Sequence, residues 1–265
     1  MLSSLLLGFL LGLLIAVLAW RAGALSASGA AAAALTGGLI FGLGGLPWAV
    51  LLLAFFISSS GLSKAFASRK AGVSEKFSKG SRRDWGQVLA NGGLGALLAV
   101  TQAVFPSQSW PWLAFAGAMA AVNADTWATE LGVLSAQPPR RITTGKVVER
   151  GASGGVTALG TLAALAGALL IGGLAALFSA KGEAGFFLGI VPLVGLLGSL
   201  FDSFLGATVQ VIYHCPACNK ETERHPRHLC GTETVRIRGW RWLNNDWVNL
   251  ACSLVGATLS VILAR

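Results

Sequence analysis

Four groups of polar residues interrupt an otherwise apolar chain, and each has the composition of a binding site. The first is Asn123-Ala124-Asp125-Thr126-Trp127-Ala128-Thr129-Glu130-Leu131-Gly132. An acid inside a membrane span costs about 2.5–3.5 kcal/mol and is a functional candidate by default. At about 100° per residue, Asn123, Thr126 and Glu130 share one helical face, while Asp125 and Thr129 lie on another. One straight helix cannot aim both acids at a single partner. Either the segment is buried all round or it unwinds. A helix that stops early and leaves Glu130 solvated is the plainer alternative. The second group is Asp202-Ser203 with Gly206 and Gln210. Ser199, Asp202, Gly206 and Gln210 recur at helical spacing as one polar stripe, which suits a helix seam or the wall of a site. An isolated Asp202 would take up a proton rather than stay charged in lipid. Two persistent acids point to a shared cation, and Mg²⁺ held by carboxylates and substrate phosphates is the economical choice.

The third group runs from Thr143 through Thr144-Gly145-Lys146 and Arg150-Gly151-Ala152-Ser153-Gly154-Gly155 to Thr157. Glycines ahead of a helix N-terminus expose backbone N–H groups, and the helix dipole favours an anion there. Lys146 and Arg150 add positive charge. The spacing is not that of a Walker A loop. Many such loops are merely turns; beside two acids this one becomes a phosphate cradle. The fourth group is Cys215-Pro216-Ala217-Cys218 followed by His225, His228 and Cys230. Cys215, Cys218, His228 and Cys230 have the types and spacing to bind tetrahedral Zn²⁺, with reduced, unliganded thiols as the alternative. Asn245, Asp246 and Asn249 open the last apolar segment, where Asp246 is either an N-cap or a further acid of the site. Gln87, Asn91 and Gly92 form a polar patch at the same depth.

These residues need elements to hold them. The chain has 265 residues, is 54% hydrophobic and only 12% charged, and has a mean hydropathy of +0.67. A soluble domain carries roughly 25% charged residues. Apolar runs near 1–20, 28–45, 46–63, 86–105, 110–134, 153–179, 185–213 and 247–264 predict an all-α polytopic membrane helix bundle of about eight spans, forming one integral membrane domain over 1–265. The N-terminal run has no basic residue ahead of it and reads as a retained span rather than a signal peptide. The net charge of +9 does not indicate nucleic acid, because the basic residues fall in short loops between spans. Loops 64–85, 135–152 and 214–246, with Arg21, carry all of the basic residues except Lys181 and Arg265. The positive-inside rule makes that side cytoplasmic, in a multi-pass protein of the cell membrane. Loop 214–246 is the candidate zinc-binding segment.

Together the segments Gln87–Gly92, Asn123–Gly132, Thr144–Lys146 with Gly151–Thr157, Asp202–Gln210 and Trp242–Asn249 resemble an integral membrane family, domain-of-unknown-function family 92. That family includes transmembrane-protein-19-like proteins and plant and cyanobacterial phytyl-phosphate kinases. The resemblance implies a phosphotransferase that adds a second phosphate to a prenyl monophosphate from a nucleoside triphosphate, with CTP the expected donor. On that reading Asp125, Glu130 and Asp202 hold Mg²⁺, with Asp246 as a further candidate ligand. Lys146, Arg150, Thr144, Gly145, Gly151, Ser153, Gly154 and Gly155 hold phosphates. Asn91, Asn123, Gln210, Asn245 and Asn249 orient the substrates. Ala152 stands where the family's pattern has Thr. The rival expectation is a carrier of an ion or a phosphorylated lipid, whose polar groups would lie near the bilayer midplane and on both sides of it.

Overall fold

A computed structural model describes residues 2–70, 72 and 75–264; Met1, Ala71, Val73, Ser74 and Arg265 lie outside the described residues. The helices are α1 (Leu2–Arg21), α2 (Ala27–Gly44), α3 (Leu46–Ala65), the short α4 (Ala67–Lys70), α5 (Trp85–Val104), α6 (Trp110–Gly132), α7 (Ala158–Ala176), α8 (Ala184–Thr208) and α9 (Asn245–Leu263). Among the described residues, seven of these are long and apolar enough to cross a membrane. The remaining long helix is α6. Its Asn123, Asp125 and Glu130 dilute its apolar character, and it does not need a lipid-facing surface. It packs against α3, α5, α7, α8 and α9, and every residue from Ala114 to Ala124 is buried. The protein is a multi-pass helical membrane protein built around α6.

Small residues allow that enclosure. A Cβ on Gly117 of α6 would collide with the backbone of Gly256 on α9, and one on Gly195 of α8 would lie 2.9 Å from the Cβ of Ala120. The α1–α2 pair is sealed the same way, by Gly8 and Gly12 against Gly38 and Gly42. Close backbone approach is the main source of helix cohesion in lipid. At the starts of α3, α6 and α8, Trp48, Trp112, Phe115 and Phe187 form one aromatic cluster, with Trp48 and Phe115 stacked at 4.3 Å. It plugs the end of the bundle away from the long loops.

The three basic loops meet at the opposite end. Lys76 pairs with Glu149, and Glu223 N–H donates to Lys76 O. Two loops contain strands rather than continuing the helices. β1 (Arg140–Arg141) pairs with β2 (Gly155–Val156). β3 (Ile212–Cys215) is the central strand between β4 (Lys220–Thr222) and β5 (Val235–Arg238). The sixth and seventh spans are therefore shorter than the apolar runs suggest. Thr157 caps α7, its Oγ1 accepting from Gly160 N–H at 3.0 Å, so the helix cannot begin at 153. The last helix is capped by Asn244, whose Oδ1 accepts from the Asp246 and Trp247 amides, and not by Asp246.

Candidate active site at the loop end of the bundle

A cavity of about 250 Å³ opens where α6 ends among these loops. From α6 come Asp125, Thr126, Thr129 and Glu130. The helix does not unwind. Asp125 and Glu130 are separated by about 140° around it, with Thr129 and Thr126 between, so the cavity spans the whole arc. Ser199 of α8 donates to Asp125 Oδ1 at 3.5 Å on one flank, and Ser63 of α3 donates to Glu130 Oε1 at 2.9 Å on the other. Glu130 is 7% exposed, which excludes the solvated alternative. Asp202, one turn beyond Ser199 on α8, also lines the cavity. Its Oδ2 is buried without a hydrogen-bond partner among the described residues.

The glycine-rich loop forms the facing wall. Arg150, Gly151, Ser153, Gly154, Gly155 and Thr157 line the cavity, as do Gly160 and Thr161 from the first turn of α7. Gly154 has φ +80°, and a Cβ there would run into the backbone of Ala207, so the loop lies directly on α8. Arg238 fixes this junction by donating to Gly206 O at 2.7 Å and Ser153 O at 3.5 Å. Arg150 donates to the carbonyls of Val133 and Ala136 just beyond α6. Gln87 and Asn91 of α5, Gln210, and Asn245 and Asn249 of α9 complete the lining.

Other expected residues lie elsewhere. Asn123 is fully buried between helices, donating to Gly167 O at 2.7 Å and accepting from Ser58, so it packs α6 to α7 rather than facing the cavity. Thr144, Gly145 and Lys146 form the exposed turn of the loop and do not line it. Asp246 is bound at 2.5 Å by Lys79, which also bonds Asp84 at the α5 N-cap. Desolvation is the largest single influence on the Lys79 ammonium and lowers it, but the two acids together outweigh it and hold the group above its ordinary range. Cys215, Cys218, His228 and Cys230 do converge, but outside this cavity.

Sequence reading missed two charged groups of the site. Arg83 is counted there only as a loop charge. It is enclosed under α3, donating to Ser59 at 2.9 Å and Ser60 at 3.2 Å, with its guanidinium over Phe55 and Phe56. Burial pulls it down to about 10, opposed by nearby Glu130. Glu223 follows β4 with no motif around it. Its carboxylate accepts from Ser153 at 2.9 Å, Gln210 at 2.8 Å and the Ser78 amide at 3.3 Å. Burial raises its carboxyl above the ordinary range despite these bonds.

A second pocket, of about 70 Å³, is apolar and lies between α1, α2, α3 and α5. Gly12, Ala16, Ala33, Phe41 and Phe55 are among its walls. Arg83, Gln87 and Asn91 line both pockets, so a polar chamber and an apolar one share a wall of charged and amide groups.

The fold and this chamber define a polytopic membrane protein with a loop-side polar site. The chain belongs to the integral membrane protein family DUF92, whose profile matches residues 10–257. It is 37% identical over 240 residues to Protein PGR of Arabidopsis thaliana, covering 82% of each chain. It is 33% identical over 226 residues to an uncharacterized membrane protein of Methanocaldococcus jannaschii, covering 83% of this chain and 77% of the relative. It is 29% identical over 255 residues to Protein VTE6, chloroplastic, of Arabidopsis thaliana, covering 91% and 66%. No solved structure gives a significant match.

Proposed function

We propose that this protein is a membrane-embedded prenyl-phosphate kinase. The observation that carries the reading is the shared wall at Arg83, Gln87 and Asn91 between a polar and an apolar pocket. An isoprenoid monophosphate has that amphipathic shape. Its phosphate would lie in the polar chamber and the adjoining carbons in the apolar one. Buried Arg83 supplies fixed positive charge where the two meet.

The reaction is a direct transfer. A phosphate oxygen of the prenyl monophosphate attacks the γ-phosphorus of a nucleoside triphosphate. The bond from that phosphorus to the β-phosphate oxygen breaks, releasing a nucleoside diphosphate and a prenyl diphosphate. A phosphate monoester loses its second proton near pH 6, so the attacking oxygen is largely ionised at neutral pH without a base. Such transfer depends on positioning and charge compensation. Asp125, Asp202 and Glu130 have the donor types to hold Mg²⁺, and Asp202 Oδ2, buried with no hydrogen bond among the described residues, suits a cation. When bound, the ion would offset the negative charge of the phosphates. The amides of Gly151, Ser153 and Gly154, the first turn of α7 and Arg150 orient phosphate oxygens, while the Ala152 and Gly155 amides hold the loop's own turns. Gln87, Asn91, Asn245 and Asn249 supply neutral hydrogen bonds that do not disturb the charge balance.

The chamber lies at one end of the bundle among the basic loops, which favours an interfacial enzyme over a carrier. The positive-inside rule would place that end in the cytoplasm, at a cell membrane, where nucleotides are available. The preference for CTP rests on the family resemblance. The test is purified protein with Mg²⁺, CTP or ATP, and prenyl monophosphates of graded length, with products identified by mass. Prenyl diphosphate formation is expected. Movement of prenyl phosphate across sealed vesicles with no diphosphate formed would favour the carrier instead.

A further inference from the structure

The three-stranded sheet carries a second cluster, away from the chamber. β3 ends at Cys215, and the tight turn to β4 presents Cys218, with Asn219 held at φ +53°. A second turn, closed by His228 N–H to Thr232 O and Gly231 N–H to His228 O, presents His228 and Cys230. The four donor atoms all lie within 4.8 Å of one another. Cys215 Sγ is 3.5 Å from Cys230 Sγ, Cys218 Sγ is 3.5 Å from His228 Nδ1, and Nδ1 is 3.3 Å from Cys230 Sγ. Around zinc, bonds of about 2.3 Å to sulfur and 2.0–2.1 Å to nitrogen give tetrahedral edges of roughly 3.5–3.8 Å. The two 3.5 Å separations reach that range and the 3.3 Å one is slightly short of it.

The surroundings fit as well. His228 is 4% exposed, and its Nδ1 faces the thiols. Its Nε2 is buried without a hydrogen bond among the described residues, 3.9 Å from Glu75 Oε2. Glu75 is in turn held by Lys220 at 2.5 Å. A histidine ligand with its outer nitrogen toward a carboxylate is the usual arrangement behind a bound metal.

We propose that Cys215, Cys218, His228 and Cys230 bind one structural Zn²⁺. Four protein donors leave no open position, so the ion staples rather than catalyses. It ties the β3–β4 turn to the 228–231 turn. The same sheet carries Gln210 just before β3 and Glu223 just after β4, and both line the chamber.

Metal content of the full-length protein, purified reduced without chelator, tests this independently of any kinase activity. About one zinc per chain is expected. It should be lost in Cys218→Ser and Cys230→Ser and kept in Cys252→Ser, whose thiol is buried in α9. Cobalt substituted into the wild type should show thiolate-to-metal absorption of a tetrahedral site. The wild type also serves alone if the variants fail to fold: three thiols should resist alkylation until a strong chelator is added. Reduced protein that holds no zinc and takes up none, or that holds iron instead, would overturn the proposal. So would thiols that react equally with and without chelator.

Discussion

Ser153 donates a hydrogen bond to Glu223 across 2.9 Å, joining the glycine-rich loop to the turn after β4. Burial raises the Glu223 carboxyl, while Ser153, the Ser78 amide and Gln210 pull against it. The folded chain therefore keeps this proton at pH values where the unfolded chain has released it. Stability from this group falls as pH rises from the ordinary glutamate value through the raised one. Glu223→Gln stays neutral and removes that slope. Thermal unfolding in detergent across this range should show the variant gaining on the wild type as pH rises. A stability gap that ignores pH would show that Glu223 does not titrate there.

Asp202 presents the opposite case, a buried oxygen with no hydrogen-bond partner among the described residues. Asp202→Asn keeps the shape and removes the charge. Phosphoryl transfer should fall by about 100-fold or more, since even outer groups of a metal site are worth about 10–100-fold. Thermal stability should be unchanged or higher, because Asp202 Oδ2 has no hydrogen bond to lose among the described residues. Equal losses of stability and activity would make Asp202 a packing residue.

Two glycines of one loop should behave differently. Gly154 has φ +80° and lies against the Ala207 backbone, whereas Gly145 has φ +65° with open space around it. Gly145→Ala should cost only the left-handed backbone penalty, about 1–2 kcal/mol. Gly154→Ala adds a collision and should cost roughly 1–3 kcal/mol more. Differential unfolding of the two variants measures this, and equal costs would argue against the loop's seating on α8.

Much of this was legible in the sequence, for identifiable reasons. The spans were visible because the apolar runs are long, and the shared side of the basic loops because their charges are dense. The acids Asp125, Glu130 and Asp202 stood out because apolar neighbours surround them. Arg83 and Glu223 did not, since each lies in a polar loop where a charge is unremarkable, and only packing of loop on helix buries them. Lys146 is grouped with the site because it follows a glycine, whereas it lies on the exposed turn between β1 and β2, off the cavity lining. The boundaries of α7 and α8 were set too wide because Thr157 and β3 stop those helices within apolar sequence.

The apolar pocket predicts a substrate-length effect. Ala33 is one of its walls. Ala33→Phe should raise KM for a long prenyl monophosphate by roughly ten-fold or more while leaving kcat for a short one little changed. Steady-state kinetics on two chain lengths would read this out. Uniform loss on both would mean that the chain lies elsewhere.

Under the proposed function, the carboxylates around α6 serve phosphoryl transfer to a lipid monophosphate. Purified protein in bilayer discs, given nucleoside triphosphate labelled at the γ-phosphate, Mg²⁺ and a prenyl monophosphate, tests it directly against Asp125→Asn. Label should pass into prenyl diphosphate with the wild type, and that transfer should be nearly abolished in the variant. Transfer at the same rate by both proteins would contradict it.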